Sequence, residues 1–287
     1  MGGTGPQYRR AGADQPNPRV SDGGVLRLDD GRDLSWRASG PRAAAPLLWL
    51  HGSTGSSRTA PIQDSARVLA YDRPGYGGSS VHPGRTLRSD VADALALLDA
   101  QHVDRTAVLA FSGGAAVGYA LAALAPDRVS RLGVVSGATW PVGPPPPDAA
   151  LRDAGATLRA ADPAATVAAL AADAPPLDRQ ALLDPGLATR LRLGVEDAVR
   201  SGIEGWVAEA RVVRTEWPFL PRDVRCPVLL WHGREDAAVP LAAAETTART
   251  LPVARLHTLP GAGHLGWLAR EDSITAAMVS GRQAPSR

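Results

Sequence analysis

Three side chains in this sequence have the types and chain order needed for nucleophilic catalysis. The first is Ser112, in Val108-Leu-Ala-Phe-Ser-Gly-Gly-Ala115, with Ala110 two residues before it and Gly114 two after. An apolar run leads straight into this serine and a helical pattern follows at once. A strand that turns directly into a helix holds such a serine in a strained backbone conformation. Side chains larger than those of Ala110 and Gly114 are expected to collide across the turn. The hydroxyl then stands clear of the sheet, and the Gly113 N–H lies on the side where negative charge develops. Taken alone, the segment also fits a Gly-rich turn whose serine merely caps a helix.

Two later segments supply partners. Val228-Leu-Leu-Trp-His-Gly-Arg-Glu-Asp236 is an apolar run ending in a polar loop, and Leu259-Pro-Gly-Ala-Gly-His264 is another run ending in a Gly-rich loop. A serine hydroxyl is a weak nucleophile near neutral pH. An imidazole must take its proton, and a carboxylate must fix the imidazole's tautomer and stabilise its cation. His264 and Asp236 fit those roles. Glu235 is the rival acid, and Asp236 is preferred because it lies three residues before the Val239-Pro240 pair that ends the loop. A fourth segment, Leu47-Leu-Trp-Leu-His-Gly-Ser-Thr-Gly55, closes a strand on His51-Gly52. Its loop offers the Ser53 N–H as a second oxyanion donor beside that of Gly113. His51 reads as a structural residue pinning this loop, and His232 as a core residue.

Elements that would position these groups follow from hydrophobic patterning. Strands are expected at Val25–Leu28, Leu34–Arg37, Pro46–Leu50, Arg67–Tyr71, Thr106–Phe111, Val129–Val135, Val228–His232 and Arg255–Leu259. Several are continuously apolar rather than alternating, as strands covered on both faces require. Helices are expected at Ser89–Ala100, with Ser89 as N-cap, and at Gly114–Leu124, which is small and apolar nearly all round. This alternation predicts an α/β fold, a mostly parallel eight-stranded sheet with helices on both faces. Strand patterning stops from Trp140 to about Arg222, after which it resumes. The proline run Pro144–Pro147 opens that stretch, and its Ala, Leu, Arg and acidic residues are helically spaced. The expected organisation is therefore a core of residues 23–139 and 223–280, an inserted helical cap at 140–222, and loose tails at 1–22 and 281–287.

Composition narrows the chemistry further. All 31 basic residues are Arg, scattered among 29 acids, so the net charge of +2 builds no field for nucleic acid. The absence of Lys excludes Schiff-base catalysis. One cysteine, Cys226, excludes an internal disulfide and a thiolate metal cluster, and it reads as packing. Neither a membrane span nor an apolar signal core is visible, which leads to the expectation of a cytoplasmic protein with no metal, no cofactor, no membrane association and a small-molecule substrate. Whether it is a monomer or a homodimer stays open.

With these segments together, the chain resembles the α/β-hydrolase superfamily over roughly residues 25–280. The segments occur in the family's order: His51-Gly52, Tyr71-Asp-Arg-Pro-Gly-Tyr-Gly-Gly-Ser79, the turn at Ser112, then Asp236 and Gly263-His264. The Asp72 loop is common in the family, where its usual role is structural. The resemblance also places a lid after the strand ending near Ser136. It implies that epoxide hydrolases and haloalkane dehalogenases carry an Asp where this chain has Ser112, so those chemistries drop out. Proline-iminopeptidase-like enzymes carry His-Gly-Gly-Pro-Gly where this chain has His-Gly-Ser-Thr-Gly. Cap acids Glu196, Glu204, Glu209 and Glu216 could bind a substrate amine, whereas acids on a helix usually form a solvated face.

The expectation is thus a cofactor-independent serine hydrolase acting on an ester or related acyl bond. Ser112, Asp236 and His264 form the relay, and Ser53 and Gly113 hold the oxyanion. The alternatives are a peptidase, a non-hydrolytic or C–C-cleaving tailoring enzyme, and a non-catalytic ligand-binding protein on the same fold. Phe111, Trp140, Trp206, Trp217, Phe219 and Trp267 are the candidate pocket aromatics, and packing of the inserted helices is the competing role for most of them.

Overall fold

The apolar runs assemble into one sheet. A computed structural model of the chain describes residues 20–137, 140 and 143–280. The first half contains strands β1 (Val20–Arg27), β2 (Asp33–Ser39), β3 (Ala45–Leu50) and β4 (Ala66–Tyr71). Helix α1 (Leu87–Ala100), β5 (Thr106–Phe111), α2 (Gly114–Leu124) and β6 (Val129–Val135) follow. Five helices come next: α3 (Asp148–Ala160), α4 (Pro163–Ala172), α5 (Pro176–Leu182), α6 (Pro185–Arg200) and α7 (Glu204–Val213). The chain then returns to the sheet through β7 (Val228–Gly233), α8 (Leu241–Thr250), β8 (Ala254–Leu259) and α9 (Glu271–Val279). Strand order is β1-β2-β4-β3-β5-β6-β7-β8. The β1–β2 and β2–β4 pairs are antiparallel, and every pair from β4 through β8 is parallel.

Why the central strands are apolar on every residue is visible in their side-chain alternation. Leu48, Leu50, Val108 and Ala110 pack on one face with Val91, Ala94 and Leu97 of α1 and with α2. Leu47, Trp49, Ala107 and Leu109 pack on the other with Ile274, Ala277 and Met278 of α9. Each leucine-sized side chain so buried contributes on the order of 2 kcal/mol of hydrophobic stabilisation. The parallel register carries the C-terminal ends of β3, β5, β7 and β8 to one edge of the sheet.

Two expectations are corrected. Helix α1 begins at Leu87, not Ser89, because Thr86 is its N-cap. The Thr86 hydroxyl accepts from the Ser89 N–H and the Ser89 hydroxyl accepts from the Thr86 N–H, a reciprocal capping box that puts Ser89 inside the first turn. Strand β1 begins at Val20, inside the stretch expected as a tail, because Val20 pairs with Ser39 across a register shift that side-chain periodicity does not reveal. The remainder of the expected tails, 1–19 and 281–287, lies outside the described residues. His257 is half-buried and stacks on Trp231 with ring centroids 5.4 Å apart. Among the described residues, no helix is long and apolar enough to cross a membrane.

The helices between β6 and β7 occupy the strand-free stretch read from the sequence. Pro163, Pro176 and Pro185 each sit in a first turn, where the missing N–H costs nothing. Asp162 and Asp184 cap α4 and α6 by accepting from the Ala165 and Leu187 N–H groups.

Candidate active site

The β5–α2 turn puts Ser112 in the left-handed region, with φ +49°. A non-glycine residue there is strained, and surrounding structure must hold it. The Ser112 N–H donates to the Val135 carbonyl, 3.1 Å away, and the Ala115 N–H donates to the Ser112 carbonyl at 3.0 Å. The small flanking residues are required, though not by collision with each other. A Cβ on Gly114 would lie 2.5 Å from the carbonyl oxygens of Leu50 and His51, at the end of the neighbouring strand. The Ala110 methyl faces Gly118, where an added Cβ would sit 3.1 Å from it. The turn therefore closes against β3 on one side and along α2 on the other.

Asp236 and His264 come to this turn from β7 and β8. The His264 Nε2 lies 3.0 Å from the Ser112 Oγ, and its Nδ1 lies 2.9 Å and 3.1 Å from the two Asp236 oxygens. An ionised carboxylate only accepts, so Nδ1 carries the proton and Nε2 is free to accept from the serine hydroxyl. The Asp236 side chain is fully buried, and its Oδ1 also accepts from the Ala238 and Val239 N–H groups. Burial opposes its charge. The hydrogen bond and charge of His264, with the Val239 N–H, outweigh that cost and hold the carboxyl below its ordinary value. Glu235 is exposed and accepts from the Gly261 N–H, so the choice between the adjacent acids falls to Asp236. His232 is buried and donates from Nε2 to the Val239 carbonyl at 2.7 Å, bracing the same loop. Cys226 is buried as well, and burial pushes its thiol up to about 11.

The β3 loop brings Ser53 over Gly113. A Cβ at Gly113 would collide with the Ser53 Oγ, so glycine permits the approach. Neither the Gly113 nor the Ser53 N–H has a hydrogen-bond partner among the described residues. Unpaired amides beside a serine oxygen can receive an oxyanion. His51 is fully buried under this loop. Its Nδ1 lies 2.8 Å from the Gly52 carbonyl and its Nε2 accepts from the Arg73 N–H, and burial with the nearby Arg73 charge holds its pKa well below 6.5. A neutral imidazole so bonded at both nitrogens is a structural part. The Asp72 loop interlocks with it: Asp72 accepts from the Ser57 and Gly78 N–H groups, and the Tyr76 hydroxyl donates to the Ser53 carbonyl.

One acid departs from the sequence reading. Glu204 and Glu216 are exposed, and Glu196 pairs with Arg192 on its own helix. Glu209 on α7 is instead 0 % exposed and points at the β3 loop. It accepts from the Ser53 hydroxyl at 2.6 Å and forms ion pairs with Arg73 at 2.6 Å and Arg85 at 3.5 Å. Two guanidiniums make that burial tolerable, and neither is close to it in sequence. The helical spacing of the acids held no signal that distinguished Glu209.

The candidate pocket aromatics divide. Phe111 lies 5.2 Å from the His264 ring and 5.3 Å from Trp267, and an added Cβ on Gly52 would touch it. Trp267 is only 2 % exposed, so it packs beneath the site. Trp140, Trp217 and Phe219 gather instead with Tyr119, all centroids of neighbouring rings within 6 Å, around a small cavity also lined by Thr247 and Leu251 of the α8 region. Trp206 packs against Gly155 of α3.

Comparison with known proteins bears on this arrangement. The chain is 28% identical to the "dihydrolipoyllysine-residue acetyltransferase component of acetoin cleaving system" of Pseudomonas putida, over 94% of this chain and 71% of that one. It is 31% identical to the pimeloyl-[acyl-carrier protein] methyl ester esterase of Aromatoleum aromaticum, covering 79% of this chain and 93% of the relative. A hydrolase of known structure from Pseudomonas aeruginosa superposes with a TM-score of 0.69 at 26% identity, covering 90% of this chain and 98% of that one. Residues 45–269 match the family model described as alpha/beta hydrolase fold, and the chain belongs to that family.

Proposed function

We propose that this protein is a cofactor-independent serine hydrolase that cleaves an ester or related acyl bond of a small apolar molecule through an acyl-enzyme. The observation that carries the reading is the line from Asp236 through His264 to Ser112, at 2.9 Å and 3.0 Å, beside two unpaired amides. Ser112 attacks the carbonyl carbon while His264 Nε2 takes its proton. Asp236 stabilises the imidazolium, and the Gly113 and Ser53 N–H groups hold the oxyanion. His264 then protonates the leaving alcohol, and water activated by the same nitrogen hydrolyses the acyl-enzyme. In this reading α3–α7 form a cap over the core, and the similarity to a methyl ester esterase supports an ester as the bond.

The test is labelling with a fluorophosphonate, mass mapping of the adduct, and a chain-length series of p-nitrophenyl esters. An adduct on Ser112 with turnover of at least one ester is the expected result. A folded protein that takes no label on Ser112 overturns the mechanism. Similarity to an acetyltransferase component favours, as a second reading, transfer of the acyl group to an acceptor other than water. Product partitioning between water and an added thiol or alcohol separates the two.

A further inference from the structure

We propose that Asp178, on the inserted helix α5, is a positioning residue for His264, and that this helix is part of the machinery that holds the proton acceptor in place. The inference rests on the serine-hydrolase reading above. Asp178 is 4 % exposed. Its Oδ2 accepts from the Gly263 N–H at 2.6 Å and its Oδ1 accepts from the Leu265 N–H at 2.7 Å. These are the backbone amides immediately before and after His264. One carboxylate thus grips the chain on both sides of the imidazole, from a helix 85 residues away in sequence.

Two further features show that the loop is shaped around this carboxylate. A Cβ on Gly263 would lie 3.0 Å from Asp178 Oδ1, and one on Gly266 would lie 2.6 Å from Oδ2. The glycines of Gly263-His-Leu-Gly266 therefore leave room for the acid. The Leu177 N–H also donates to the Gly261 carbonyl at 2.9 Å, so α5 and the loop are joined through main chain as well. Among the described residues Asp178 has no cationic partner. A buried carboxylate without one is costly unless amides satisfy it, and here the satisfying amides belong to the His264 loop.

The division of labour is physical. Asp236 fixes the ring through Nδ1, but a ring on a shifting backbone still moves its Nε2 relative to the serine. Asp178 fixes the backbone, which leaves the side-chain torsions of His264 as its remaining freedom. Loss of that hold misplaces the nitrogen by a fraction of an ångström to an ångström, a displacement that costs about 10²-fold in rate. The helices between β6 and β7 then do more than cover the site, because lifting α5 leaves two amides and one carboxylate unpaired.

Asp178→Asn keeps the volume, retains one acceptor and turns an NH₂ group toward the other amide. The expected result is a folded protein whose kcat for a p-nitrophenyl ester falls about 10²-fold with little change in KM. Its fluorophosphonate labelling slows in parallel, and the downfield Nδ1 proton resonance of His264 broadens or is lost. An unchanged kcat overturns the proposal, and so does loss of stability with that resonance intact, since a helix staple alone leaves the imidazole where it was. If Asp178→Asn does not fold, amide hydrogen exchange in the unmutated protein decides. Gly263 and Leu265 exchanging far more slowly than their loop neighbours supports the hold, and exchange at open-loop rates overturns it. Failure of the unmutated protein to label on Ser112 is a different result, which removes the hydrolase reading while the Nδ1 resonance still decides the role of Asp178.

Discussion

Phe111, Trp49 and Trp267 gather beneath His264, whereas Tyr119, Trp140, Trp217 and Phe219 gather between α2 and α8. In the sequence, five of these seven rings were candidates for one pocket. The separation shows that residue type does not decide which rings serve the site. Phe111 is one residue from Ser112 and sits on a strand whose C-terminal end is the site. Trp217 and Phe219 follow the end of α7, and they meet the flank of α2 two turns beyond that serine. The first group should govern rate, and the second should govern stability.

The sharpest test of that division is Ser112→Ala. On the proposed mechanism, loss of the nucleophile lowers kcat on the order of 10⁶-fold, with thermal unfolding little changed because alanine keeps the Cβ that strains φ +49°. Ester hydrolysis and calorimetry on the same sample measure both. Glu209→Ala should cross the division. It leaves Arg73, which is 0 % exposed, without its carboxylate, and it frees the Ser53 hydroxyl. A cost of about 3–5 kcal/mol in urea unfolding is expected, together with a loss of kcat through the loosened oxyanion loop. A variant that loses stability but keeps full kcat would show that Ser53 does not depend on Glu209.

Trp217→Ala tests the remote rings. Removing a side chain that is 5 % exposed from three ring contacts should cost roughly 3 kcal/mol or more, while kcat of the folded fraction stays at the parent value. A change in ester chain-length preference in that variant would break the comparison. A smaller effect concerns pH. His51 has a folded pKa held well below 6.5 by burial, so the unfolded chain binds a proton that the folded chain refuses. Stability should therefore fall as pH drops below about 6.5, and His257, lowered in the same direction, adds to the slope. Melting temperature across pH 7 to 5 measures it, and a flat profile would show that His51 is not held neutral. The smallest effect is expected of Tyr119→Phe. The Tyr119 hydroxyl is buried with no partner among the described residues, so its removal should change stability by less than about 1 kcal/mol, in the favourable direction.

Much of the fold was legible because its signals are local. A strand covered on both faces reads as an unbroken apolar run, and all eight runs recur as strands within a few residues of their expected limits. The helices between β6 and β7 were legible from the Pro144–Pro147 run and the helical spacing that follows it. The start of α1 was misread because Ser89 and Thr86 both suit an N-cap, and only backbone geometry shows that each bonds the other. Among candidate site residues, Asp236 was separable from Glu235 by its place before Val239-Pro240. Asp178 and Glu209 were not separable from other helical acids. Nothing on their own helices differs, and their partners lie 85 and 156 residues away.

The sequence alone determined the alternation of strand and helix, the strained turn at Ser112, and the chain order of serine, acid and histidine. Those properties depend on side-chain period, glycine placement and neighbours within a few residues. The tertiary structure alone decided that His264 Nε2 lies 3.0 Å from the Ser112 oxygen, that two distant carboxylates grip the loops on either side, and which rings lie beneath the site. Such pairings are set by the register of parallel strands and the docking of α5 and α7, which bring together groups that share no local pattern.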